Sequence, residues 1–231
     1  MQHPAEVVAI DGPCGVGKSV VAHELAHKLG FRHLDTGAMY RAIAWLALRS
    51  RVDLRDGVEL GRLAESAQLR MDIPNDHGET RIWCNGEEVT KPIRERDVNL
   101  AVSEVADCEG VRRALVRQQR AIGLLAPSVL EGRDIATVVF PDARWKFFLE
   151  AELEIRAQRR LAQAVAAGRQ AQIERVRKDL ADRDHRDRTR PWGALRLAPD
   201  AVVVDTSRMD KNQVVDLLAA LVLADKAGAR P

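Results

Sequence analysis

The chain has 231 residues, 46% of them hydrophobic, and a formal net charge of +2. That length suits one enlarged α/β domain or a core with one or two small inserts. The near balance of charge argues against bulk nucleic-acid binding, although arginine clusters can still hold small anions. No apolar run approaches a membrane span, Met1-Gln2-His3-Pro4 does not open a signal peptide, and Cys14, Cys84 and Cys108 form no C-x-x-C pair, so a cytoplasmic protein with reduced thiols is expected.

The first predicted strand, 6–11, carries Val7-Val8-Ala9-Ile10 and runs into Gly12-Pro13-Cys14-Gly15-Val16-Gly17-Lys18-Ser19, a full G-x-x-x-x-G-K-[ST] match. A helix over 18–29 follows, with Val21, Leu25 and Leu29 on one face. Strand, glycine-rich loop and helix in this order make a phosphate cradle. Loop N–H groups point inward, the helix N-terminus adds its positive end, Lys18 reaches the outer phosphates and the Ser19 hydroxyl can ligate Mg²⁺. On the same helix His23-Glu24-Leu25-Ala26-His27 matches the zinc signature H-E-x-x-H. No third ligand follows at the expected distance, and the outer face of such a helix is polar anyway, so this match reads as accidental.

A second strand, 32–35, ends at Asp35-Thr36-Gly37 and opens a helix over 37–48. Thr36 and Arg41 can face a bound anion, or mark an ordinary helix start with a surface arginine. Asp-Thr-Gly is also the aspartic-protease triplet, but that chemistry needs two carboxylates side by side and only one copy is present. Residues 70–90 break the α/β rhythm. Met71 to Gly78 leads through a turn into Arg81-Ile82-Trp83-Cys84, and Asn85-Gly86 is a hairpin turn before Glu87-Glu88-Val89, which predicts a small antiparallel insert.

A helix over 109–125 and a strand over 128–131 lead to Glu131-Gly132-Arg133-Asp134. At a strand end Asp134 is placed to act on Mg²⁺-bound water or a substrate hydroxyl, and Arg133 to meet phosphate; a local ion pair is the plainer alternative. Then come a strand at 145–149, helices over 152–167 and 171–188, a strand at 201–205 and a final helix over 210–226. In the 171–188 helix Ile173, Val176 and Leu180 mark an apolar stripe that Arg183, Asp187 and Arg190 continue, which points to a polar cleft. Upstream, Arg156, Arg159 and Arg160 share a helix face. Together these form either a mobile arginine lid over transferring phosphates or two solvated helices. The alternation throughout predicts a parallel sheet flanked by helices, with ligands off the carboxyl ends of its strands.

Collected in order, these residues resemble the bacterial cytidylate kinases of the nucleoside monophosphate kinase family. The markers are Ile10-Asp11-Gly12-Pro13 with the phosphate loop, Leu34-Asp35-Thr36-Gly37-Ala38-Met39-Tyr40-Arg41, Gly132-Arg133-Asp134-Ile135, Arg156-Ala157-Gln158-Arg159-Arg160, Arg183 through Arg190 and Asp205-Thr206. The resemblance implies a P-loop kinase core with a five-stranded parallel sheet (1–36, 126–151 and 191–231). It also implies a nucleotide monophosphate-binding part (37–125, with the hairpin insert near 63–100) and a helical lid (152–190). Gly12, Pro13, Cys14, Gly15, Val16, Gly17, Lys18, Ser19 and Val20 would hold ATP, with Ser19 on Mg²⁺. Thr36, Arg41, Arg112, Asp134, Arg183, Asp187 and Arg190 would contact CMP, and Lys18, Arg133, Asp134, Arg159 and Arg160 would serve the transfer. The chain departs from the usual pattern at Cys14, Val16, Ala136, Pro191-Trp192-Gly193 and Ala194.

The implied reaction is ATP + CMP (or dCMP) giving ADP + CDP (or dCDP), with Mg²⁺ as cofactor and no nucleic acid, membrane or second subunit as partner. A different small acceptor for the same loop, or a nucleotide switch without transferase activity, are the other classes the loop allows. No Asn-Lys-x-Asp base-reading motif of a GTPase is present.

Overall fold

The structure, a computed structural model, describes residues 6–72, 80–166 and 168–228. Its elements are β1 (Val7–Asp11), α1 (Lys18–Leu29), β2 (Arg32–Asp35), α2 (Thr36–Arg49), α3 (Gly57–Ser66), β3 (Leu69–Asp72), β4 (Arg81–Cys84) and β5 (Glu87–Glu88). After a 3₁₀ turn at Pro92–Arg94 come α4 (Arg96–Asp107), α5 (Glu109–Gly123) and β6 (Ser128–Gly132). A π-helical turn at Ile135–Val139 leads to β7 (Trp145–Glu150), α6 (Leu153–Ala166), α7 (Ile173–Thr189), β8 (Val202–Asp205) and α8 (Lys211–Lys226).

Five strands form one parallel sheet in the order β2-β6-β1-β7-β8. The alternation of side chains along β1 divides the core in two. Val7 and Ala9 join Leu34 and Leu130 under α2 and α5, while Val8 and Ile10 join Val129, Phe147, Leu149 and Val204 under α1 and α8. Each fully buried Ile, Leu or Phe contributes about 1.5–3 kcal/mol, so the central strands are held from both faces. Because β2 and β6 lie to one side of β1 and β7 to the other, the connections leaving β1 and β6 diverge, and a crevice opens at the carboxyl ends of these strands.

The predicted strands all form, within a residue or two of their expected ends. The insert is a three-stranded antiparallel sheet, β3-β4-β5. Asn85 and Gly86, both at positive φ (50° and 83°), make its β4–β5 turn. The turn expected between β3 and β4 falls mostly at 73–79, outside the described residues. Two helices were not anticipated. α3 packs against α5, and α4 lies across α2 with Val98, Ala101, Val102 and Val105 buried.

Candidate active site

The loop after β1 is tied to the sheet edge by sterics. Gly12 has φ 152°, and a Cβ there would stand 2.1 Å from the carbonyl oxygen of Leu149 on β7, so only glycine lets the chain turn here. The N–H groups of Gly15, Val16 and Gly17 find no acceptor among the described residues. Lys18, at the first position of α1, folds back and donates from Nζ to the carbonyl oxygens of Gly12 (2.8 Å) and Pro13 (2.7 Å). Burial and then the Arg133 charge push its ammonium down to about 7. Val20 is exposed on α1, and Ser19 is exposed at the mouth of the loop.

Asp11, the last residue of β1, accepts from the backbone N–H of Ile135 (2.9 Å) and Ala136 (2.8 Å). It thereby caps the π-helical turn that follows Asp134 and ties that turn to the phosphate loop. Burial pushes its carboxyl up to about 6. Such a wide helical turn, favoured at functional sites, was not legible from the sequence.

Beside the loop, Thr36 donates to the carbonyl oxygen of Glu131 (2.6 Å), and Asp35 caps α2 by accepting from Ala38 N–H (3.2 Å). Arg41 donates to the Asn99 side chain on α4. The Glu131 side chain is buried between Lys18, Ser19, Asp35 and His33. Burial works against its charge, but His33 beside it (Nε2 to Oε1, 3.5 Å) and the Lys18 charge outweigh this and hold it below the usual carboxylate range. Its Oε1 is buried without a hydrogen bond among the described residues.

Across the crevice, Arg112 of α5 donates from Nη2 to Asp134 Oδ2 at 2.6 Å, with side chains only 2% and 5% exposed. Arg133 donates from Nε to Asp187 Oδ2 (2.6 Å), and Arg190 from Nη2 to Asp187 Oδ1 (2.9 Å) and from Nε to Asp107 (2.7 Å). Burial raises the Asp187 carboxyl, but Arg133, Arg190 and Arg183 overcome this and bring it to about 2. Asp187 in turn holds the Arg133 guanidinium well above its ordinary value despite burial. The half-buried Arg183 side chain makes no hydrogen bond among the described residues; its charge, with those of Arg133 and Lys18, outweighs burial and lowers the Cys14 thiol.

The buried line along α7 differs from the expected one. It runs Leu180, Asp184, Asp187, so Asp184 rather than Arg183 continues the stripe, and Ile173 and Val176 are only half-buried. Asp184 accepts from Cys14 N–H (3.3 Å) and from Arg156 Nη1 (2.6 Å), which also donates to Cys14 O (3.0 Å). This buried pair clasps α6 and α7 onto the phosphate loop. Its signal was available, since Asp184 lies four residues after Leu180. Arg159 donates to Thr206 Oγ1 (3.1 Å) and O (2.6 Å), and Arg160 donates to Gln163 of its own helix (3.4 Å). The three arginines of the α6 face therefore reach three different neighbours. On α1, Glu24 pairs with Lys211 (3.6 Å) and His23 packs edge-on against His33.

The family model described as cytidylate kinase matches residues 8–223. A cytidylate kinase of Mycolicibacterium paratuberculosis is 49% identical over 94% of this chain and 94% of its own length. One from Shouchella clausii is 45% identical over 93% and 95%. A bifunctional pantoate ligase/cytidylate kinase of Synechococcus sp. is 46% identical over 96% of this chain; the chain spans only 42% of that longer protein. On the strength of a family match running from β1 into α8, the chain belongs to the cytidylate kinase family.

Proposed function

We propose that the protein transfers the γ-phosphoryl group of ATP to CMP or dCMP, giving ADP and CDP or dCDP. The observation that carries this reading is the meeting, in one crevice, of a phosphate loop with two carboxylates held by arginines, Asp134 by Arg112 and Asp187 by Arg133 and Arg190. The loop and Lys18 suit a polyphosphate. The carboxylate–arginine pairs suit an acceptor that carries both a phosphate and a base with donors and acceptors on its edge.

In this reading residues 1–36, 126–151 and 191–231 form the core, 37–125 bind the monophosphate and 152–190 close as a lid. Lys18 swings from the loop carbonyls to the outer phosphates. Thr36, Arg41 and Arg133 hold the acceptor phosphate, while Arg112, Asp134, Arg183, Asp187 and Arg190 read base and sugar. The nucleophile is a phosphate oxygen already ionised at neutral pH, because its second pKa lies near 6, so no general base is required. Alignment of the two phosphates and arginine charge lower the barrier, and closure of α6 and α7 over the loop excludes water. The Ser19 hydroxyl and the unsatisfied Glu131 Oε1 would hold Mg²⁺, which neutralises phosphate charge when bound. Every group in this reading comes from one chain. No helix among the described residues is long and apolar enough to cross a membrane.

The test is ADP formation from ATP and Mg²⁺ with CMP, dCMP, UMP, AMP or no acceptor. Strong dependence on CMP or dCMP supports the transfer. Comparable turnover of AMP removes the base reading, and ADP release indifferent to acceptor leaves a nucleotide-binding protein with a different task.

A further inference from the structure

The turn that follows α7 carries Pro191-Trp192-Gly193, and it packs on the Arg112–Asp134 pair. The Arg112 guanidinium lies 5.8 Å from the Trp192 ring centroid and 5.1 Å from that of Tyr40 on α2. The neighbouring Arg113 lies 5.2 Å from the same indole. Gly193 sits at φ 67°, so close that a Cβ would stand 2.4 Å from Arg112 Nε and 2.5 Å from Asp134 Oδ2. Arg112 Nη1 is further tied to Ala106 O (3.1 Å), while its Nε is buried without an acceptor among the described residues.

This packing has a chemical consequence. An arginine free to rotate beside a carboxylate tends to a fork-to-fork pair that takes both oxygens. Here only one such bond forms, from Nη2 to Oδ2, and Asp134 Oδ1 makes no hydrogen bond among the described residues. The guanidinium instead turns Nη1 to Ala106 O (3.1 Å), with the Trp192 ring and the Gly193 backbone packed against it. We infer that Trp192 is a positioning residue for base recognition, fixing Arg112 so that Asp134 keeps Oδ1 for the exocyclic amino group of the acceptor pyrimidine. The inference rests on the reading of this pocket given above. It makes the post-α7 turn part of the device that separates a 4-amino from a 4-oxo pyrimidine, because a carboxylate with a free oxygen accepts from the first and repels the second.

The test compares the parent with Trp192→Val, Trp192→Phe and Asp134→Asn, measuring kcat and KM for CMP and UMP and the thermal midpoint of each. Trp192→Val is expected to raise KM for CMP about tenfold with a much smaller fall in kcat, and to lower the CMP-over-UMP ratio of kcat/KM about tenfold. Trp192→Phe, which keeps a ring face, is expected to stay within about threefold of the parent. Trp192→Leu, which keeps apolar volume without the ring, carries the valine expectation should that chain not fold. A folded Trp192→Val with CMP affinity and base ratio like the parent overturns the inference, as does a phenylalanine variant as impaired as valine. Asp134→Asn separates the levels. If it loses the base preference while Trp192→Val does not, only the role of Trp192 fails; if Asp134→Asn keeps full CMP use, the pocket reading fails with it.

Discussion

Arg112 and Asp134 are joined at 2.6 Å across the space between α5 and the end of β6, and both side chains are almost wholly removed from water. Buried charges in such a pair depend on each other, because deleting one strands the other in a medium that cannot solvate it. Arg112→Ala is therefore expected to cost about 3–5 kcal/mol of folding stability, and Asp134→Ala a similar amount. The double variant should cost less than the sum of the two. A denaturation cycle over the four proteins checks this, and strict additivity would mean that the pair is energetically uncoupled.

Asp187 accepts from two arginines at once, and its carboxyl is held near 2 against its ordinary 3.8. A depressed folded value means that the unfolded chain binds the extra proton, so stability from this group is present above about pH 4 and is lost as pH falls through 2. The shift corresponds to about 2 kcal/mol. Asp187→Asn should lose that much at neutral pH and show a shallower decline of stability in acid. It should also weaken acceptor binding, since Arg133 and Arg190 lose the carboxylate that aims them. Acid titration of unfolding midpoints, with KM for CMP at pH 7.5, measures both effects.

The phosphate loop was legible because it is local; strand, turn and helix follow within about twenty residues, and the glycine requirement at Gly12 is set by a sheet neighbour of fixed register. The core strands were legible by their apolar β-branched runs. The misses have physical causes. α3 contains two glycines, and α4 follows a proline turn, so both sit where breaker residues dominate a local reading, although Val98, Ala101, Val102 and Val105 keep helical spacing. Arg183 lies three residues and Asp184 four residues after Leu180, and both spacings keep a helix face, so the apolar stripe alone does not say which of them is buried. The contacts of Trp192 with Arg112 and of Arg156 with Cys14 join residues dozens of positions apart, and no pattern within one element announces them.

Cys14 stands among the inward N–H groups of the loop, and three cations overcome its burial to lower its thiol below the ordinary value. It should react with iodoacetamide faster than Cys84, whose thiol burial pushes up to about 11. Alkylation should abolish transfer, and ATP should protect. Mass mapping of the first modified cysteine, followed alongside activity, checks this; full activity after stoichiometric modification of Cys14 would count against a bound nucleotide occupying the loop.

Lys18 makes the last prediction, because its charge depends on what fills the loop. In the free protein its ammonium is buried against two carbonyls and near Arg133, and it titrates near 7 instead of 10.5. The unfolded chain then binds more protons than the folded one between about pH 7 and 10.5, so this group makes the ligand-free protein gain stability as pH rises through that window. A polyphosphate reverses the balance by favouring the charged form. At pH 8, ATP binding is expected to take up close to one proton per site, and at pH 6 almost none. Above pH 7 the apparent affinity should fall by up to tenfold per unit. Calorimetry in buffers of different protonation enthalpy reads the uptake directly. Lys18→Met should abolish it and reduce kcat by at least about 10³-fold, since the transferring phosphoryl group loses its nearest fixed cation. No proton uptake at pH 8 in the parent would mean that Lys18 is already charged in the empty loop.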